Sequence, residues 1–261
     1  MKTVTNIFYT PEKHPAQTLD LYLPEGGGSF PAFVFFHGGG LVKGDKAGNT
    51  VTVLSEYLTS HGVALISANY RLYPHAHYPD FICDAAAAVA WAIKHMPEYG
   101  ASGKLFVGGS SAGGYLSMML CFDKKYLGLY NIAPTSLAGF IHDAGQPTAH
   151  FNVLKERGID TRRVIVDESA PLYHIGVDPE YPPMLFIVSD GDMKNRLEQT
   201  QLVISTLKHF EYDESKYKYR LMHGKHTAYT SQLDENGESV YGKMIFEFMG
   251  NISTCNDDLS F

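Results

Sequence analysis

Cysteine is scarce in this chain: Cys83, Cys121 and Cys255 are the three in 261 residues, far apart and without Cys-x-x-Cys spacing. Neither a disulfide framework nor a thiolate zinc site fits that pattern, so three reduced, mostly buried thiols are expected. Long apolar runs are also missing. No stretch reaches the about 18 to 20 residues that span a bilayer, and no membrane span is expected. Positive charge is in deficit, with 21 Lys+Arg against 28 Asp+Glu and a net charge of -7, which leaves no electrostatic footprint for a nucleic-acid partner. The polar start, Met1 to Pro15, lacks the apolar centre of a secretory signal, so a cytoplasmic location is expected. The chain has no His-Glu-x-x-His, no Walker loop and no G-x-G-x-x-G after a first strand, which removes support for metalloprotease, NTPase and dinucleotide chemistry.

What is present is a core-forming composition, 44% hydrophobic and 19% charged, arranged in alternating short apolar runs and helical stretches. Strand character appears at Val4–Tyr9 and Thr18–Leu23, before a Gly-rich turn at Pro24–Ser29. Continuous apolar runs then recur at Ala32–Phe36, Val63–Ala68, Lys104–Val107, Leu137–Ile141, Met184–Val188 and Tyr217–Met222. Between and after them the pattern predicts helices at Thr52–Thr59, Phe81–His95, Tyr115–Phe122, Asn195–Phe210 and Val240–Met249. Repeated strand-helix units imply an α/β fold, a mostly parallel central sheet with helices on both faces, and one domain over 1–261. The segment His142–Pro183 fits the alternation poorly and is expected to be an insertion that shapes the pocket.

The strongest chemical signal is Gly109-Ser110-Ser111-Ala112-Gly113, a G-x-S-x-G sequence after a predicted strand and before a predicted helix. A serine on such a turn holds its hydroxyl above the sheet, and small neighbours are needed where the backbone passes close to itself. Ser111 is the candidate nucleophile. Upstream, His37-Gly38-Gly39-Gly40 ends a buried strand, and unobstructed glycine amides are the donors that the oxyanion of an acyl-transfer intermediate requires. Gly39 and Gly40 are the candidate donors there, joined by the amide of Ala112 at the start of its helix. His37 is expected to brace the loop through hydrogen bonds.

These residues resemble the α/β-hydrolase fold, in particular its small carboxylesterases related to hormone-sensitive lipase and to bacterial acetyl and feruloyl esterases. The resemblance runs from about Thr18 to Met249. It rests on Leu19-Asp20-Leu21-Tyr22-Leu23-Pro24, His37–Gly40, Asn69-Tyr70-Arg71-Leu72, the turn Gly109–Gly114 and Ser169-Ala170-Pro171-Leu172. It implies an acid after a late strand and a histidine after the last one. Chemistry asks for the same pair, since a neutral serine needs a base to take its proton and the imidazolium needs a carboxylate.

After Ser111 the chain order is acid, then histidine. Ser189-Asp190-Gly191-Asp192 offers two acids; the register of the resemblance favours Asp192, although Met193 stands where the relatives carry proline and Asp190 stays open. One further reading has both acids capping the helix that begins at Asn195. Among histidines beyond the acid, His209 lies in a predicted helix, whereas His223-Gly224-Lys225-His226 follows the last strand. The resemblance favours His226, with His223 as the alternative. His75 and His77 sit in a Pro-rich loop without a third ligand, and no metal is expected. Asp80 and Asp84 are read as helix-dipole carboxylates.

Two departures carry information: Ser110 and Leu41 replace the acidic and aromatic residues usual at those places in hormone-sensitive-lipase relatives. Only about thirty residues precede the first buried strand, which resembles the compact acetyl and feruloyl types. The expectation is a cofactor-free serine carboxylesterase acting on small esters, short-acyl, acetylated-sugar or feruloyl. Its alternatives are an aryl formamidase or amidase on the same residues and a non-catalytic hydrolase-fold binding protein. The expected partner is a small-molecule ester.

Overall fold

The apolar runs form strands buried on both faces. In Phe33-Val34-Phe35-Phe36, alternate side chains point to opposite sides of the sheet, so Phe33 and Phe35 enter one hydrophobic cluster while Val34 and Phe36 enter another. Each fully buried aromatic or aliphatic side chain of this kind contributes about 1.5–3 kcal/mol. A computed structural model describes residues 1–26 and 28–257, apart from the side chains of 251 and 253–257; Gly27 of the predicted turn, Asp258 and the Cys255 side chain lie outside that description.

In chain order the elements are β1 (Lys2–Phe8), β2 (Thr18–Leu23), β3 (Phe30–Phe36), α1 (Asn49–Ser60), β4 (Ala64–Ala68) and α2 (Asp80–His95). Then come β5 (Ala101–Ser110), α3 (Ala112–Phe122), α4 (Lys125–Gly128), β6 (Gly139–Asp143) and α5 (Phe151–Glu156). The chain continues through β7 (Met184–Gly191), α6 (Arg196–His209), β8 (Tyr217–Lys225) and α7 (Val240–Asp257). The eight strands form one sheet in the order β1-β2-β4-β3-β5-β6-β7-β8. Pairings are antiparallel from β1 to β2 and from β2 to β4, and parallel from there to β8.

Helices α2, α3 and α6 supply the cluster on one face, through residues such as Ala85, Leu116 and Val203. Helices α1 and α7 supply the other, through Leu54, Leu58, Tyr241 and Ile245. Every residue of α3 is buried, which fits a helix that is apolar all round and has no solvent face to keep polar. Its N-terminus therefore stands rigidly under the turn that carries Ser111. This is an α/β-hydrolase fold with a mostly parallel sheet, as expected.

Three expectations change. Strand β6 runs two residues beyond Ile141, so His142 and Asp143 belong to the sheet and the excursion before β7 begins at Ala144. Apolar patterning stops at Ile141, but the ladder to β5 continues and pairs Asp143 with Ser110. Asp84 is not a dipole carboxylate at a helix start. It is buried one turn into α2, where it accepts hydrogen bonds from the Arg71 side chain at 2.7 Å, the Arg71 amide at 2.9 Å and Gln17 at 2.6 Å. Finally, Cys121 is buried but Cys83 is only half-buried; both are free.

Burial also sets a pH dependence. His142 and His150 are buried and their pKa values are pushed down to about 3 by desolvation. Each binds fewer protons folded than unfolded, so its contribution is full above about pH 6.5 and falls by about 1.4 kcal/mol per unit below it. The Asp143 carboxyl, raised by burial from 3.8 to about 6, acts oppositely and offsets part of this. Calorimetry should therefore show Tm several degrees lower at pH 5 than at pH 7.5. An equal or higher Tm at pH 5 contradicts that balance.

Candidate active site

Ser111 sits between the end of β5 and the start of α3 with φ 57° and ψ -110°. Such a backbone costs a non-glycine residue about 1–3 kcal/mol and persists only when its surroundings hold it. Here the Ser111 N–H donates to the Asp143 carbonyl at 2.8 Å, and its own carbonyl accepts from Tyr115 at 3.0 Å. The flanking glycines are required by close approach. A Cβ on Gly109 would lie 2.6 Å from the Gly113 carbonyl, and one on Gly113 would lie 1.9 Å from the Phe36 oxygen. Because these obstacles are backbone, Gly113→Ala should destabilise the protein by at least about 3 kcal/mol in urea unfolding. Wild-type stability in that variant contradicts the packing described.

The loop after β8 carries His226 to the serine. Ser111 Oγ and His226 Nε2 are 2.8 Å apart, and His226 Nδ1 is 2.6 Å from Asp192 Oδ1. With Nδ1 protonated toward the carboxylate, Nε2 accepts from the hydroxyl, which is the tautomer a base needs. The Asp192 side chain is 1% exposed and its oxygens also accept the amides of Met193 at 2.7 Å and Ser189 at 3.4 Å.

Asp190 forms a separate pair with His223, 2.6 Å between Oδ2 and Nδ1, at side-chain exposures of 44% and 89%. The Gly224 amide completes that pair at 2.9 Å. Among the described residues His226 is the histidine that meets Ser111, and Asp192 the acid that meets His226. Neither acid caps α6: Asn195 precedes that helix without a side-chain cap. His209 is the last residue of α6.

The His37–Gly40 loop lies directly against the serine, since a Cβ on Gly38 would be 3.3 Å from that of Ser111. Gly39 has φ +119°, and a side chain there would reach within 1.9 Å of the Lys43 oxygen. Its carbonyl accepts from Val42 and Lys43, both at 3.2 Å. The Gly40 carbonyl accepts from the side-chain amide of Asn152. With these carbonyls turned away and held, the amides of Gly39, Gly40 and Ala112 have no protein acceptor among the described residues.

His37 braces the loop. Its Nδ1 is 2.7 Å from the Gly38 carbonyl, its ring stacks on Tyr70 at 4.5 Å, and the Tyr70 hydroxyl donates to its carbonyl at 2.8 Å. Burial lowers its pKa, which favours the neutral ring.

Three residues at this edge of the sheet escape the motif reading. Asn152 comes from α5, in the segment whose pattern is weakest. Arg196 is buried at the start of α6, donates to the Ala144 carbonyl and lies 3.4 Å from Gln146 Oε1, and so ties the loops after β6 and β7 together. Burial lowers its pKa to about 10. Asp143 is the third; an acid ending a run of strand residues was the available signal. His77 pairs with Glu156 at 3.2 Å, and among the described residues no group of three or more metal-ligating side chains occurs.

Residues 19–135 match the BD-FAE family. The carboxylic ester hydrolase LipN of Mycobacterium tuberculosis is 39% identical over 117 residues, which cover 44% of this chain and 31% of LipN. The chain spans about half the length, or less, of the curated relatives it matches. Esterase B of Lactobacillus rhamnosis superposes with a TM-score of 0.80 at 20% identity, covering 98% of this chain and 87% of that one. A truncated carbohydrate esterase from gut microbiota gives 0.79 at 19% identity and covers 97% of both chains. By architecture and by likeness, the chain is an α/β-hydrolase-fold protein similar to carboxylic ester hydrolases.

Proposed function

We propose that this protein is a serine carboxylesterase that hydrolyses short-acyl esters of bulky alcohols, acetylated sugars among them, in one domain. The observation that carries the reading is the continuous chain Ser111, His226, Asp192, with separations of 2.8 and 2.6 Å. Ser111 Oγ attacks the ester carbonyl carbon while His226 Nε2 takes its proton, and Asp192 stabilises the imidazolium. The carbonyl oxygen becomes an oxyanion held by the free amides of Gly39, Gly40 and Ala112. Collapse of the tetrahedral intermediate breaks the C–O bond; the alcohol leaves with the proton from His226, and the acyl group stays on Ser111. Water then attacks the acyl carbon, giving its proton to His226, which returns it to Ser111 as the acid departs.

The likeness to a carbohydrate esterase from gut microbiota supports the sugar assignment, as does the partial exposure of the site, where the His226 side chain is 23% exposed. The excursion from Ala144 to Pro183 is the proposed pocket wall, since Asn152 on it reaches the Gly40 carbonyl.

Hydrolysis of p-nitrophenyl acetate, butyrate and octanoate, followed by acetylated xylo-oligosaccharide and a matched acetanilide, tests the assignment. The expected order is acetate at or above butyrate, both far above octanoate, with sugar acetate cleaved and anilide left intact. A profile peaking at octanoate, or faster anilide cleavage, overturns it.

A further inference from the structure

Beneath the serine lies a carboxyl group that the mechanism above does not use. Asp143 ends β6 opposite Ser110, is fully buried, and forms no ion pair among the described residues. A buried acid without a cation is costly, so its surroundings require an account.

Those surroundings come from every element packed on it. The Asp143 carbonyl accepts the Ser111 amide at 2.8 Å. From β5 the Ser110 hydroxyl interacts with its carboxyl. From the turn after β8 the Tyr229 hydroxyl donates to Oδ1. From α7 the Tyr241 hydroxyl lies beside it, and Oδ2 has no hydrogen bond of ordinary geometry. The charges that face it are His226, whose cation favours the ionised carboxyl, and Asp192, which opposes it. Tyr229 is three residues beyond His226, on the same loop, and its ring is buried.

Resting on the esterase reading, we infer that Asp143 is a positioning residue that ties the Ser111 turn to the His226 loop. Its main chain fixes the serine, and its side chain reaches through Tyr229 to the loop that presents the histidine.

Two variants test the tether. Asp143→Asn keeps the shape but replaces the carboxylate that accepts from Tyr229 with a weaker acceptor. Its kcat should fall about tenfold with KM within about twofold, because Asp143 does not touch substrate. Tyr229→Phe cuts the tether: the rate of Ser111 labelling by a fluorophosphonate should fall about fivefold.

A purely structural role predicts a lower Tm with wild-type kcat and KM in folded Asp143→Asn, and that result overturns the inference, as do wild-type kinetics in both variants. Should Asp143→Asn not fold, Tyr229→Phe decides alone: slowed labelling supports the tether and a wild-type rate overturns it. Absence of labelling in the wild type fails at an earlier step. It overturns the esterase reading and this inference with it, whereas normal wild-type labelling with unaffected variants removes only the role of Asp143.

Discussion

Asp192→Asn should lower kcat for ester hydrolysis by about 10⁴-fold, whereas Asp190→Asn should leave it within about twofold. The two acids are two residues apart and each pairs with a histidine at 2.6 Å, so pairing distance does not distinguish them. Their surroundings do. Asp192 is 1% exposed at its side chain, is fixed by two backbone amides and holds the histidine that meets Ser111.

An amide at that position presents an N–H to Nδ1 and favours the tautomer whose protonated Nε2 cannot accept the serine proton; it also leaves the imidazolium without its counter-charge. Asp190 and His223 are screened by water, so their pairing adds little. Steady-state kinetics on p-nitrophenyl acetate, with both variants at matched folded concentration, reads the difference. A collapse in Asp190→Asn with a nearly normal Asp192→Asn would move the acid to the other side of Gly191.

The difference between those acids marks how far local sequence reaches. The strand that ends at Ser110 and the helix that starts at Ala112 were legible because patterning and glycine spacing are local properties. The proposed order of nucleophile, acid and base along the chain was not local in this sense: it was what the resemblance implied. Selecting Asp192 over Asp190 depends on which carboxylate the β7 ladder and its following loop turn inward, and that is decided by contacts 34 residues away at His226.

Asp143 and Asn152 escaped for a related reason. Strand β6 keeps its ladder after its apolar run has ended, because Ser110 on β5 supplies a partner for Asp143. The helix carrying Asn152 is six residues long and has little periodicity to detect. Asp84 shows the converse error: its place near a helix start suggests the dipole, while Arg71 and Gln17, distant in sequence, determine its role.

Ser111 is the proposed nucleophile of an ester hydrolase, and the most direct test of that role combines turnover with covalent capture. Removing the Oγ removes the atom that forms the acyl-enzyme, so His226 and the amides are left with water as the only attacking group. In comparable sites that residual activity lies several orders of magnitude below the intact enzyme. Wild type and Ser111→Ala are therefore compared for p-nitrophenyl acetate hydrolysis and, by intact mass, for reaction with a fluorophosphonate. The predicted result is turnover and one phosphonyl adduct in the wild type, with at least about a 10⁴-fold loss of kcat and no adduct in Ser111→Ala. Turnover in the folded Ser111→Ala protein near the wild-type rate, or an adduct at another residue, contradicts the account.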